Sequence, residues 1–312
     1  MKIQFLGTGA GVPSTMRYLS SIALKLLDER NEIWLFDCGE GTQQRILKTS
    51  LKPRKVSKVF ITHLHGDHIF GLPGFLSSRA FQGGDTPLTI YGPKGIKDFV
   101  LTSLRVSQSH LRYPIFFHEL EEEGVVFADK QFQVTCAKLS HGIPSFGYRV
   151  EEAAYPGELL VDKLKAENVP AGPIYGKLKN GETVVLPNGR TLDGEDYVGK
   201  AIRGRVVTIL GDTRRTKQSV KLAKNSDVLV HEATFDKHSQ QIAYDYFHST
   251  CVDAAKVARD ANVQQLYLTH ISSRYAGKEV YALEKDARAI FKATTLVNDY
   301  DEFDIHLSKE SD

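Results

Sequence analysis

The sequence predicts an α/β sandwich with mixed sheets. Short runs rich in β-branched and aromatic residues recur in both halves of the chain, and helical patterns separate many of them. The chain has 312 residues, of which 41% are hydrophobic and 25% are charged, so it can bury one large core or two smaller ones. Strands that alternate with helices are typical of sheets whose outer faces are covered by helices.

The strand candidates are short apolar runs with few charges. In chain order they cover residues 3–6, 22–26, 33–36, 59–62, 88–91, 132–137, 146–150, 206–210, 228–230, 266–269 and 303–306. The helix candidates cover residues 41–49, 96–106, 218–224, 252–261 and 280–293. Ser249 or Thr250 is the expected N-cap of the fourth helix, because a side-chain oxygen there can accept from a free helix N–H group.

Residues 154–204 differ from the sequence on either side. They are dense in Gly, Pro and Asn-Gly turn signals, with one short helix candidate at 157–167 and a hairpin candidate at 184–191. Such a segment is either a disordered linker or a protruding arm. Its regular turns and apolar residues favour an ordered arm, inserted into a single domain that spans residues 1–312. Residues 163–205 contain eight basic and five acidic residues, which on charge alone indicates a solvated surface.

Composition excludes several classes of protein. The start of the chain lacks the long apolar segment of a secretory signal, and no apolar run approaches the roughly 18 residues of a membrane span. The three cysteines, Cys38, Cys136 and Cys251, are scattered, which argues against a disulfide framework and favours a reducing cytoplasm. The net charge of +2 does not indicate a nucleic-acid binder. Residues 45–58 carry six basic and no acidic residues, and they form either a solvated face or a phosphate-binding patch.

The stretch THLHGDHIFGLPG, residues 62–74, concentrates potential metal ligands directly after an apolar run. Its candidates are His63, His65, Asp67 and His68. Side chains at a strand end and at the start of the next helix can converge on one point, and buried polar groups without partners cost several kcal/mol. A metal site is therefore expected here. Imidazole and carboxylate ligands without thiolate suit zinc, with manganese or iron as alternatives. The glycine-rich stretch 7–11 is either a plain turn or a phosphate cradle.

The pattern His-x-His-x-Asp-His resembles the signature of the metallo-β-lactamase superfamily. The resemblance implies that superfamily's αββα sandwich, in which helices flank two mixed sheets. It also implies three further ligands after later strands, and suitable residues stand there as His141, Asp212 and His270. By this resemblance two Zn²⁺ ions bind per subunit. One would be held by His63, His65 and His141, and the other by Asp67, His68 and His270. Asp212 would bridge the two ions, and Asp37 in FDCGEGTQ would support the ligand loops without binding metal.

Several other stretches are similar to the tRNase Z family in its short form. They are FLGTGAGVPS, FDCGEGTQ, VLVHEATF, FHSTCVDAAKVA and THISSRY, and the similarity covers nearly the whole chain, including the Gly-Pro of the arm. The resemblance implies a homodimeric, zinc-dependent endoribonuclease that removes the 3′ trailer from precursor tRNA. The nucleophile would be a metal-bound hydroxide, and the products a tRNA 3′-hydroxyl and a 5′-phosphorylated trailer. The arm would be an exosite for the tRNA body.

The same resemblance assigns roles to individual residues. Asp67 would be ligand and general base, His248 the general acid, and Glu232 the carboxylate that orients His248. The substrate contacts would be Arg274, Lys55, Gly172 and Pro173. The stretch PRKVSK keeps Pro53 and Lys55 of the family's Pro-x-Lys-x-Arg-Asn loop but ends in Ser57-Lys58. Without the resemblance, His248 would equally suit a helix cap, and His231 and Glu232 would suit packing. His110, His118, His238 and His306 fit no ligand position.

Two alternatives to a tRNA-processing enzyme follow from the same residues. The metal motif does not name a substrate, so a small-molecule phosphodiesterase or another hydrolase of the superfamily remains an alternative. A non-catalytic RNA-binding subunit is the third hypothesis, and the full set of ligand residues argues against it.

Overall fold

Two seven-stranded sheets dominate the computed structural model, which describes residues 1–307. The described chain divides into two compact units, one made of Met1–Glu151 with Val206–Ile305 and a smaller one built around Glu152–Arg205. Among the described residues, no helix has the length and apolar content that a membrane span requires.

The first sheet combines antiparallel and parallel strands. Its members are β1 (Lys2–Gly7), β3 (Ser21–Leu26), β4 (Glu32–Phe36), β5 (Val56–Phe60), β6 (Leu88–Pro93), β7 (Ile115–Leu120) and β18 (Glu302–Asp304). They lie in the order β18-β1-β3-β4-β5-β6-β7. Pairing is antiparallel from β18 to β4 and parallel from β4 to β7.

The second sheet is also mixed. Its members are β8 (Gly124–Ala128), β9 (Phe132–Lys138), β10 (Phe146–Glu152), β13 (Val206–Ile209), β14 (Val228–Glu232), β15 (Gln265–Thr269) and β17 (Thr294–Leu296). They lie in the order β17-β15-β14-β13-β10-β9-β8, and the strands β13, β14, β15 and β17 are parallel. Two short pairs complete the strands: β2 (Gly9–Ala10) with β16 (Ile271–Ser272), and β11 (Val184–Val185) with β12 (Thr191–Leu192).

Most helices of the larger unit cover the outer faces of the two sheets. The helices of the chain are α1 (Leu27–Arg30), α2 (Thr42–Ile46), α3 (Gly66–Ile69), α4 (Leu72–Phe81), α5 (Ile96–Val106), α6 (Val161–Ala166), α7 (Pro173–Lys179), α8 (Lys217–Ala223), α9 (Gln240–Asp245), α10 (Cys251–Asp260) and α11 (Lys278–Arg288). Short 3-10 helices span Pro53–Lys55 and Gly194–Tyr197.

Strand alternation builds three apolar layers. In β4, Trp34 and Phe36 face the second sheet, whereas Ile33 and Leu35 face α2, α4 and α5. Successive strand side chains point to opposite faces, so a strand buried on both faces is apolar throughout. The second sheet does the same, since Val230 joins the inter-sheet core and Leu229 packs towards α10. The order helix, sheet, sheet, helix confirms the predicted sandwich.

Sequence reading missed several elements for identifiable reasons. The edge strand β7 is mostly exposed, with Phe116 53% accessible, so it lacks the apolar run of an inner strand. The strands β8 and β17 were also not predicted. Helix α4 begins with Leu72-Pro73-Gly74, which reads as a turn, yet proline is well tolerated in the first helical turn. Thr250 rather than Ser249 caps α10, in a capping box with Asp253.

The smaller unit has its own core. Six buried side chains pack together: Leu164, Val169, Leu178, Leu186, Leu192 and Tyr197. The predicted short helix and hairpin are present as α6 and the β11-β12 pair. Helix α7 was missed because its Gly172-Pro173 start reads as a turn. At the ends of the segment, Arg205 donates to the two carboxylate oxygens of the buried Glu152, each at 2.7 Å. The segment therefore contains regular elements and a buried apolar cluster, and its service as an arm inserted into a single domain stays a prediction.

We predict that Leu178→Ala unfolds the smaller unit and leaves the two-sheet unit folded. Truncating a buried leucine costs about 2–5 kcal/mol, and a core this small has little stability to lose. Limited proteolysis should cut the variant rapidly within residues 152–205, while the main thermal transition stays in place. Lys177→Ala, exposed on the same helix, is the matched control. Equal protease resistance of the two variants would contradict the prediction.

Candidate metal centre

The carboxyl ends of the inner strands converge at one edge of the sandwich. Parallel neighbours end at the same edge of a sheet, as β4 and β5 do in the first sheet and β13, β14 and β15 in the second. The residues at or just after these ends are Asp37, His63, Asp212, Glu232 and His270. The turn after β5 and helix α3 add His65, Asp67 and His68, and the loop between β9 and β10 adds His141.

All seven predicted metal ligands lie together. Ligand atoms approach within 4.8 Å of one another in three overlapping groups: His63, His65 and His141; Asp67, His68 and His270; and His63, His68 and Asp212. The Oδ2 atom of Asp212 lies 3.7 Å from His63 Nε2, 3.6 Å from His68 Nε2 and 3.2 Å from His270 Nε2. Asp212 therefore stands between the two sets, where a bridging ligand would be needed.

Hydrogen bonds orient the imidazoles of the first sheet. Asp37 accepts at Oδ2 from the ring nitrogen Nδ1 of His68 at 2.7 Å, so that nitrogen carries the proton. The Thr62 hydroxyl donates to Asp37 at 2.9 Å and so must accept from His63 Nδ1 at 3.0 Å. Both histidines consequently turn Nε2 towards Asp212. His63 Nε2 is buried and has no hydrogen-bond partner among residues 1–307, which a metal ion would satisfy.

The second sheet orients its ligands in the same way. The Thr234 hydroxyl donates to Glu232 at 2.6 Å and therefore accepts from His270 Nδ1 at 2.9 Å. His141 Nδ1 donates to the carbonyl of Phe247 at 3.0 Å, leaving its Nε2 to face His65 Nδ1 at 3.1 Å. Either a proton on His65 Nδ1 or a metal ion bound by both nitrogens satisfies this contact. The donor set thus fits a divalent metal ion.

The electrostatics of the centre favour positive charge. Burial lowers the pKa of His68, but Asp212 and Asp37 raise that pKa well above its ordinary value. Burial raises the pKa of the Asp212 carboxyl, yet the neighbouring imidazoles, His270 first, hold it well below its ordinary value. The centre therefore contains a buried carboxylate that stays ionised and attracts cations.

The glycine-rich stretch 7–11 closes one side of the centre. Strand β2 pairs with β16 directly after His270, which brings the stretch to the ligands. The Gly11 N–H group donates to Asp67 Oδ2 at 2.8 Å, and Gly11 has a φ of +68°, which favours glycine. The stretch is therefore partly a short strand whose end holds one of the predicted ligands, and a phosphate cradle there stays a prediction.

His248 and Glu232 form a pair beside the ligands. His248 Nδ1 donates to Glu232 Oε1 at 2.9 Å, and Glu232 also accepts from the Thr213 N–H group at 2.9 Å. Burial lowers the pKa of His248, but the carboxylates, Glu232 first, raise it to about 9. Because Thr250 provides the helix cap, the structure gives His248 no capping role. His231 lies fully buried on β14 and faces away from this pair.

The predicted substrate contacts lie in three places. Arg274 is exposed after β16, with its guanidinium 4.9 Å above the ring of Phe235, which lies 6.0 Å from the His248 ring. Lys55 stands before β5, at the end opposite His63, and donates to Asn31 at 2.7 Å. The structure does not bring Lys55 to the centre, and its role stays a prediction. Gly172 and Pro173 are exposed at the start of α7 in the smaller unit.

Sequence reasoning named Asp37 as a support of the ligand loops, and Asp37 does contact His68 and Thr62, but the other residues that hold the predicted ligands were missed. Thr62, Thr234 and the Phe247 carbonyl had no assigned role, although Thr62 and Thr234 stand within the quoted stretches. Three of the nine non-glycine residues with positive φ in the described part of the chain lie here: Asp37, Phe247 and His270 have φ values of +57°, +60° and +56°. Such conformations cost about 1–3 kcal/mol each and concentrate at functional sites. Their clustering here marks this edge as the functional one.

The chain is similar to proteins of known family along its whole length. A family model described as "Anti-Pycsar protein Apyc1" matches residues 1–152. The Ribonuclease Z of Enterococcus faecalis is 62% identical over 311 residues, which cover 99% of each chain. The crystal structure of human tRNase Z, short form, is 31% identical with a TM-score of 0.72, covering 98% of this chain and 100% of that one.

A more distant structure supports the fold alone. The metallo-β-lactamase fold protein YhfI of Bacillus subtilis is 17% identical with a TM-score of 0.67, over 97% of this chain and 98% of that one. The sandwich described above is thus the metallo-β-lactamase fold. With full-length identity of 62% to a curated relative, the chain belongs to the ribonuclease Z family.

Proposed function

We propose that this protein is a metal-dependent endoribonuclease that removes the 3′ trailer from tRNA precursors. Two observations support this proposal. The chain is similar to Ribonuclease Z over its full length, and seven candidate ligand side chains converge at the carboxyl edge of the sheets. The products would be a tRNA 3′-hydroxyl and a 5′-phosphorylated trailer. A non-catalytic RNA-binding subunit would not need such a centre.

The proposed cofactor is a pair of zinc ions. His63, His65 and His141 would hold one, Asp67, His68 and His270 the other, and Asp212 would contact both. Two such ions supply charge for the phosphate oxygens and lower the pKa of bound water. The orphaned Nε2 of His63 and the inward-facing nitrogens support this assignment.

One carboxylate and one imidazole would move protons, and a second carboxylate would hold the imidazole. Asp67, fixed by the Gly11 N–H group, would accept the proton of the attacking water. His248 would donate a proton to the departing 3′-oxygen, since its Nδ1 is bonded to Glu232 and its Nε2 remains for the substrate. Glu232 would hold the imidazole in place and stabilise its charged form.

Recognition of the tRNA body would use residues outside the centre. Arg274 would bind a phosphate at the rim, and the smaller unit, with Gly172, Pro173 and the exposed Lys177 and Lys179, would be an exosite. Lys55 would bind RNA away from the centre. The proposal includes a homodimer in the cytoplasm, and the free thiols of all three cysteines are compatible with that compartment.

The amount of zinc bound per subunit should depend on the predicted ligands. His65→Ala should lower the zinc bound per subunit, measured by elemental analysis after gel filtration, and should abolish cleavage of a precursor tRNA. Chelation should have the same effect on the unaltered protein, reversed by added zinc. His110→Ala, which removes a histidine with no ligand role, should change neither. Full zinc content in the His65 variant would remove that residue from the site.

The role of His248 can be separated from simple structural support by changing the leaving group. His248→Ala should slow cleavage of a normal precursor by about 10²-fold or more. A precursor with sulfur in place of the departing 3′-oxygen needs no proton on leaving, so the variant should cleave it nearly as fast as the unaltered enzyme. An equal loss on both substrates would argue against general acid catalysis.

Removal of the smaller unit tests the exosite. Replacing residues 160–200 by a short Gly-Ser linker should raise KM for precursor tRNA strongly while sparing turnover of bis(p-nitrophenyl) phosphate. Equal loss on the two substrates would exclude the exosite. Efficient turnover of a cyclic nucleotide without any precursor cleavage by the intact protein would instead favour the small-molecule phosphodiesterase.

A further inference from the structure

A groove beside His248 is lined by several residues to which the function proposed above gives no role. It has a volume of about 550 Å³ and lies along α8, α9 and α10. Its lining includes His248, Tyr244, Arg214, Arg215 and Lys217. Since His248 belongs both to the groove and to the cluster around Asp212, one end of the groove opens at the candidate centre.

Arg214 forms a fixed stack along this groove. Its Nε donates to the Tyr244 carbonyl at 2.7 Å, and its guanidinium lies 3.8 Å from each of the ring centres of Tyr244 and Phe247. Among residues 1–307, its two terminal nitrogens have no hydrogen-bond partner. Tyr244 keeps 59% of its surface accessible. The exposed ring of Tyr244 and the fixed guanidinium group of Arg214 therefore lie side by side, in the same groove as His248, the proposed proton donor.

The groove has cationic charge that its own acids do not neutralise. Asp260 is paired with Arg215 at 2.5 Å, and Asp253 already accepts from Thr250 at 2.7 Å and from Gln240 at 2.8 Å. Lys217 is exposed and has no ion pair within the described part of the chain. The three basic side chains of the lining, Arg214, Arg215 and Lys217, therefore outnumber its two carboxylates, and Arg214 and Lys217 make no ion pair among the described residues.

We propose that this groove binds the first nucleotides of the single-stranded trailer. Exposed aromatic rings beside basic side chains are the common means of binding unpaired RNA, because bases stack on the rings and phosphates contact the cations. The acceptor stem on the other side of the cut is a duplex, whose paired bases offer no free face. The inference rests on the proposed function and adds a trailer subsite to it.

Trailer length separates this subsite from general effects on catalysis. Two precursors are compared, one with a trailer of a single nucleotide and one with a long unpaired trailer. Tyr244→Ala and, separately, Lys217→Ala should raise KM for the long trailer relative to the short one by about fivefold or more, the effect of one lost stacking or charge contact. The control is Lys221→Ala, which changes a residue on the same helix as Lys217 but outside the groove. This variant should leave the ratio of the two KM values unchanged.

A binding measurement keeps this inference distinct from the function on which it rests. A fluorescent 5′-phosphorylated oligoribonucleotide should bind the unaltered protein, and both groove variants should bind it about fivefold or more weakly. If precursor tRNA is cleaved but the KM ratio and this affinity do not change in either variant, the subsite is refuted and the function stands. If the protein binds the oligonucleotide through the groove yet cleaves no precursor, the proposed function fails and the groove remains an RNA site.

Discussion

A single buried carboxylate, Asp212, organises the centre. Burying an ionised group is costly unless opposite charges or hydrogen bonds compensate it. Here the imidazoles of His63, His68 and His270 surround Asp212, with their Nε2 atoms within 3.7 Å of its Oδ2 atom. His63 and His68 follow a strand of the first sheet, whereas Asp212 and His270 follow strands of the second. The centre therefore assembles only when the two sheets dock against each other.

Two threonine hydroxyl groups hold the histidines around Asp212 in their orientations. Thr62 links Asp37 to His63, and Thr234 links Glu232 to His270. Each hydroxyl has one proton, so donation to the carboxylate leaves only acceptance from the imidazole. The tautomers of two ligands are thereby determined without contact with the metal. Thr234 also connects Glu232, which contacts the proposed proton donor His248, to the proposed ligand His270.

The convergence of the candidate ligands was predictable from sequence because they stand at strand ends in a dense, recognisable pattern. The inner strands were predictable for a related reason, since residues such as Trp34 and Ile33 are apolar on both faces. The supporting contacts were not, because the partners of His141 and Gly11 lie 106 and 56 residues away in the chain. Lys55 shows that proximity in sequence does not ensure proximity in space: it is close to His63 in sequence, but it precedes the strand β5 that His63 follows.

The span of the centre along the chain has a consequence for the order of events during folding. Its predicted ligands run from position 63 to position 270, and each of the two proposed ligand sets combines residues that follow strands of both sheets. Contacts of such long sequence separation form late, after loop closure has been compensated by other interactions. A nascent chain therefore cannot complete both proposed metal sites until β15, which directly precedes His270, has docked. Metal ions that bind to the folded sandwich then stabilise it by their binding free energy. Bound metal therefore opposes unfolding of the chain.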